Sequence, residues 1–176
     1  MAAMPDVIGF YSVQHCDRAG WTGGYLLLNA AGRPLEFHCT LPVRPSRAHE
    51  ILFGSTLREH IIGEAVGMAL LPKARIQPRL ICCDQPEGLH LDGHVPVPIG
   101  LVVEAAEGDE GPITADALPG YESIMIASAH CLVAMERADA VRQFAGAFAD
   151  LPDLLEPFSR IREAIQEAQQ QVARAA

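Results

Sequence analysis

Gly23-Gly24-Tyr25-Leu26-Leu27-Leu28-Asn29-Ala30-Ala31-Gly32-Arg33-Pro34-Leu35-Glu36-Phe37-His38-Cys39-Thr40 is the stretch on which the fold turns. Two extended apolar segments, residues 24–29 and 34–40, flank a connection in which Asn29 and Gly32 supply the backbone conformations that a reversal needs. The stretch reads as a β-hairpin. Upstream, Val7-Ile8-Gly9-Phe10-Tyr11-Ser12-Val13 is a strand of matching length, with Gly20-Trp21-Thr22-Gly23 expected as the turn before the hairpin.

Past Pro42 and Pro45 the periodicity becomes helical. Ser46 is placed to cap a helix carrying Ala48, Ile51 and Leu52, which Gly54 interrupts. A second helix starts near Ser55 or Thr56 and shows a buried stripe of Leu57, Ile61, Ala65, Met68 and Ala69 before Pro72. Gly63 and Gly67, four residues apart, predict close packing of this helix on the sheet. Strand-like text resumes at Leu80-Ile81-Cys82-Cys83 and continues through residues 89–94, 97–103 and 123–129. The run Ile124-Met125-Ile126-Ala127 lacks alternation, which predicts a strand covered on both faces at the sheet centre. The carboxyl-terminal part is helical, with one stripe of Val141, Phe144, Phe148 and Leu151. A second stripe comprises Leu155, Phe158, Ile161, Ile165 and Ala168, in a segment spanning about residues 153–172 with Pro157 in its first turn.

The order strands, helix pair, strands, helices predicts one α+β domain over residues 1–176. Its sheet is expected to be mainly antiparallel, of about five to seven strands with helices packed on it. In element order alone this resembles the profilin-like and roadblock-like layouts, and a doubly wound α/β sheet is the alternative.

A net charge of -9, from 13 Lys and Arg against 22 Asp and Glu, opposes a surface that neutralises phosphates, so no nucleic-acid partner is expected. Glu104, Glu107, Asp109 and Glu110 read as a solvated loop. Neither an export signal nor a membrane-spanning stretch is legible at residues 1–6 or elsewhere, which predicts a cytoplasmic chain with no membrane partner. The five cysteines, at 16, 39, 82, 83 and 131, are then free thiols packed in the core.

Chemistry-bearing patterns are sparse. His15-Cys16, His38-Cys39 and His130-Cys131 suggest zinc, but neighbouring strand residues point to opposite faces. His90-Leu91-Asp92-Gly93-His94 alternates polar groups that could hold a metal or form an acid-base pair, and reads first as an exposed Gly-containing turn. Cys83-Asp84 closes an apolar strand, a place where parallel α/β folds put catalytic acids. Cys39 with His38 is a possible thiol pair. No Gly-rich phosphate loop is present, and no cofactor is expected. The resulting expectation is a non-catalytic protein-binding or assembly subunit, docking on another protein or as a homodimer through Phe158, Ile161, Ile165 and Ala168. The alternative is a small enzyme using Cys39, His38, Cys83 and Asp84, or a site at His90, Asp92 and His94.

Overall fold

The computed structural model describes residues 5–104 and 117–176. Glu107, Asp109 and Glu110 of the acidic loop lie outside them.

The hairpin is formed by β2 (Gly20–Asn29) and β3 (Pro34–Cys39), paired antiparallel. Asn29 Oδ1 accepts the N–H groups of Ala31 and Arg33, both at 3.0 Å, and Gly32 takes φ +76°. The tight reversal therefore rests on an Asn side chain and a residue without Cβ. On the other edge of β2 runs β1 (Val7–Cys16), also antiparallel, in unbroken register from Val7 opposite Asn29 to Cys16 opposite Gly20. The segment 20–23, expected as a turn, is thus strand, and the reversal lies between Cys16 and Gly20.

β1 pairs on its far side with β4 (Leu80–Cys83), and this pairing is parallel. β4 in turn pairs parallel with β5 (Ile99–Val103). Beyond β5 follow β7 (Ala129–Ala134) and then β6 (Tyr121–Ile126), both antiparallel, so the seven-stranded order is β3-β2-β1-β4-β5-β7-β6. The sheet is mixed and mostly antiparallel, within the expected α+β class.

β6 is an edge strand and does not lie at the centre. Ile124 and Ile126 are buried while Met125 is 53% exposed, an alternation that the apolar text conceals. The chain reverses at Ala127, a non-glycine residue with φ +51°, a conformation L-residues seldom adopt. That reversal starts β7, which the sequence reading merged with β6.

Alternation along the central strands builds a core on each face of the sheet. Ile8, Phe10, Leu26, Leu28, Leu80, Cys82, Cys131 and Val133 face α4 (Met135–Ala145) and α5 (Glu156–Ala175). Tyr11, Val13, Tyr25, Leu27, Ile81, Cys83 and Leu132 face the opposite way, toward Ile61, Ile62, Val66 and Leu70. Helices therefore cover both faces, where the sequence order had suggested one.

The amino-terminal helical region begins with α1 (Arg47–Phe53), whose cap Ser46 accepts the N–H of His49. It continues through α2 (Leu57–His60), a π-helical turn at Ile61–Val66 and α3 (Gly67–Leu70). The π turn adds a residue per turn and rotates the following face. Val66 and Leu70 are consequently buried, while Ala65, Met68 and Ala69 of the expected stripe are exposed. Tyr11 donates its hydroxyl to the Ile62 carbonyl at 2.6 Å, satisfying a backbone group within that turn. Gly63 and Gly67 do permit close approach, though against the 3-10 segment Pro86–Leu91. A Cβ on Gly63 would lie 2.7 Å from the Glu87 carbonyl oxygen, and one on Gly67 would lie 2.5 Å from Leu91.

Candidate functional site

The carboxyl ends of the parallel strands β1, β4 and β5 lie at the same end of the sheet. Leu80-Ile81-Cys82-Cys83 is buried on both faces, as a central parallel strand must be. Asp84 is the first residue past it. Gln85 then continues the pairing with side-chain groups: its Oε1 accepts the Val13 N–H and its Nε2 donates to the Val13 carbonyl, each at 2.9 Å. These bonds pin Asp84 beside the end of β1, where the buried Ser12 donates its hydroxyl to Asp84 Oδ2 at 3.0 Å.

From the helical layer, Arg162 of α5 donates to the same Oδ2 at 3.2 Å and to the Ser159 hydroxyl at 3.1 Å. Asp84 Oδ1 is buried and has no hydrogen-bond partner among the described residues. Burial raises the Asp84 carboxyl above its ordinary range, with the Ser12 hydrogen bond and Arg162 opposing but not cancelling that effect. A carboxyl tilted toward its protonated form at a strand end is suited to give and take a proton.

The carboxylate borders a cleft of about 740 Å³ between these strand ends and the first turns of α5. Leu101, Val103, Leu155 and Phe158 supply apolar wall, while Glu104, Asp153, Ser159 and Arg162 supply polar groups. Pro157 fixes the first turn of α5, and the edge-to-face contact of Phe158 with Phe10 at 5.5 Å seats the helix over β1.

The other sequence-derived candidates are dispersed. Cys83 points to the opposite face from Asp84; its thiol donates to the Gly100 carbonyl and is raised far above its usual range by burial, so it is inert. His38 is hydrogen-bonded to Glu36 at 2.8 Å, and the adjacent Cys39 is exposed on the other strand face, which removes the thiol pair. Cys16 and Cys39 are exposed, whereas Cys82, Cys83 and Cys131 occupy the core.

His90 and His94 are exposed, as the turn reading has it, but Asp92 is not a free surface group. Its side chain is 9% exposed; Oδ1 accepts the Ile99 N–H at 3.2 Å and lies 3.8 Å from Arg137. The segment 89–94, expected as a strand, is the end of a 3-10 helix and a turn. Among the described residues no group of three or more His, Cys, Asp and Glu side chains could hold a metal ion.

The docking stripe is spent internally. Phe158, Ile161 and Ile165 are buried against the chain's own sheet and Ala168 is half-buried, leaving no continuous apolar face on α5. Ser12, Ser159 and Arg162, which complete the Asp84 site, carried no signal in the sequence because nothing local links positions so far apart in the chain.

No protein-family model and no curated sequence matches the chain. Among solved structures it is similar to human ENDOV, at 10% identity and a TM-score of 0.42, covering 94% of this chain and 86% of that one. It is also similar to Marinitoga piezophila Argonaute in complex with 5' OH guide RNA, at 10% identity and a TM-score of 0.34, covering 83% of this chain and 26% of that one. Two expectations are corrected on physical grounds. The exclusion of nucleic acid from net charge is withdrawn, because a whole-chain charge does not report the field in one cleft. The non-catalytic protein-binding subunit and homodimer, expected to dock through α5, are withdrawn as well, because Phe158, Ile161 and Ile165 of that helix are core.

No helix among the described residues is long and apolar enough to cross a membrane.

Proposed function

We propose that this protein is an enzyme that binds a small, oxygen-bearing substrate in the cleft at the carboxyl ends of β4 and β5 and uses Asp84 as its general acid-base group. The observation that carries this reading is the state of the Asp84 carboxyl. It is raised by burial, held through Oδ2 by Ser12 and Arg162, and has no partner at Oδ1 among the described residues.

In such a reaction water attacks the carbon or phosphorus that carries the leaving oxygen, the bond to that oxygen breaks, and the protonated carboxyl passes its proton to it; the resulting carboxylate, met by Ser12 and Arg162, which already donate to it, regains a proton from the attacking water. Arg162 has guanidinium N–H groups beyond the two used on Asp84 and Ser159, and these orient a substrate oxygen. Leu101, Leu155 and Phe158 keep part of the cleft apolar, which strengthens each of these interactions. Three fully buried free thiols, Cys82, Cys83 and Cys131, accord with a single domain working in a reducing cytoplasm.

The test pairs a titration with an activity screen. Carbon NMR of labelled aspartate should place Asp84 above the ordinary carboxylate range. A panel of 4-nitrophenyl carboxylic, glycosidic and phosphate esters should show turnover that Asp84→Asn lowers by about 10²-fold or more with the fold intact. Turnover unchanged in Asp84→Asn, or an Asp84 that titrates at or below the ordinary range, refutes the proposal.

A further inference from the structure

The side chain of Glu36 ties the segment after α3 to the edge of the sheet. Its oxygens accept the N–H of Arg75 at 3.1 Å and of Ile76 at 2.8 Å, and Oε2 also meets His38 Nε2 at 2.8 Å. The carboxylate is thereby used on backbone and imidazole, and the Arg75 guanidinium is left without it. Arg75 and Lys73, the chain's one lysine, are both exposed. Neither has an ion-pair partner among the described residues, although acids outnumber bases by 22 to 13.

Both cations border an open groove of about 540 Å³ that runs beside Phe37, Cys39 and Thr40. β3 is an edge strand, with Thr40 donating its N–H to the Gly23 carbonyl at 3.0 Å, Cys39 opposite Gly24 and Phe37 opposite Leu26. Backbone groups alternate along an antiparallel pair, so those of Phe37 and Cys39 point away from β2. Their N–H groups have no partner among the described residues. Thr40 Oγ1 accepts the Gly23 N–H and keeps its own proton to donate. The groove thus gathers an ammonium, a guanidinium, two edge amides and a hydroxyl, and no carboxylate is among the described residues that line it. Phe37, 38% exposed, and Ala69 supply apolar surface.

We infer that this groove binds a phosphate monoester, its phosphate on Lys73 and Arg75 and its apolar body against Phe37. Donor count and charge select this anion: a phosphate monoester brings three terminal oxygens and about two negative charges, whereas a carboxylate brings two oxygens and one charge. The acidic chain as a whole repels a dianion, so binding depends on these two cations. The groove shares no residue with the Asp84 cleft.

The probe is phenyl phosphate, titrated at constant ionic strength into protein with nitrogen-labelled amides and carbon-labelled lysine, in which Lys73 gives the one lysine side-chain signal. Saturable shifts are expected at that signal and at the amides of Phe37 and Cys39. Lys73→Gln and Arg75→Gln, both at exposed positions, should each weaken the probe by about fivefold, less than a buried charge-assisted hydrogen bond would give because water screens the groove. Benzoate should bind more weakly than phenyl phosphate, and so should inorganic phosphate, the latter difference disappearing in Phe37→Ala. Shifts that do not saturate, shifts that centre on Ser159 and Arg162, or undiminished affinity in either Gln variant overturn the inference. So does benzoate or inorganic phosphate binding as tightly as phenyl phosphate, or a preference for the phenyl ring that survives in a folded Phe37→Ala variant.

Discussion

The seating of α5 on β2 can be tested at one contact. Gly24 of β2 lies directly beneath Ile161, and a Cβ at Gly24 would stand 2.3 Å from Ile161 Cγ2 and 3.1 Å from Ile165 Cδ1. Gly24→Ala must push the helix off the sheet or force Ile161 from its rotamer, destabilising by about 1–3 kcal/mol. Ile161→Ala removes the methyl in question from a fully buried side chain and should destabilise by about 2–5 kcal/mol. In the double variant the new methyl occupies space the isoleucine vacated, because the Ile161 Cβ is 3.6 Å away, an ordinary contact. The two losses should then fall short of additive by about 1 kcal/mol or more. Urea unfolding of the four proteins gives the coupling directly, with an unchanged denaturant slope confirming that the same two states are compared. Gly24→Ala with wild-type stability, or strictly additive losses, would mean that α5 does not rest there. The stripe of Phe158, Ile161 and Ile165 would again be free for another surface.

Three further outcomes are expected. Glu36 accepts from the N–H groups of Arg75 and Ile76 and from His38, and the His38 hydrogen bond, the largest contributor, holds its carboxyl below the ordinary range. Its contribution is present above the ordinary carboxylate pKa and is lost as pH falls through the depressed one; Glu36→Gln should flatten that part of the acid limb in an unfolding series, and an unaltered limb would refute the role. Asp92→Ala should destabilise by about 1–3 kcal/mol through the stranded Ile99 N–H, while His90→Gln and His94→Gln stay within about 0.5 kcal/mol, as read by thermal unfolding. In native protein a thiol reagent should modify Cys16 and Cys39 quickly and reach Cys82, Cys83 and Cys131 only on unfolding; Cys16 should react first, because N–H groups of Ala19 and Arg18 favour its thiolate.

Elements written in local text were legible. The hairpin at 24–40 announces itself through Asn29 and Gly32, the Ser46 cap through its hydroxyl at a helix start, and Pro157 through its place in the first turn of α5. Each is decided by interactions within a few residues, so the one-dimensional pattern carries them. The neighbours of the strands were not legible, because apolar runs in β1, β4 and β6 look alike whether the strand is central or at an edge. Ile124-Met125-Ile126 became an edge strand because Ala127 reverses the chain without glycine, and the buried face of the second helix rotated because a π turn at Ile61–Val66 broke the regular period.

The candidate site divides the same way. Asp84 was visible as an acid closing an apolar strand, and that position alone raised it as a catalytic possibility. Only the fold made β4 a parallel strand beside β1, brought Ser12 and Arg162 to one oxygen of Asp84, and left the other oxygen buried without a partner among the described residues. Likewise, the apolar spacing of Phe158, Ile161 and Ile165 determined an amphipathic helix, but which surface that face would cover was decided by the glycine opposite it on β2. Sequence patterns record what a residue does to its own backbone; a carboxyl's proton affinity and a helix's partner depend on groups that only folding brings within a few ångströms.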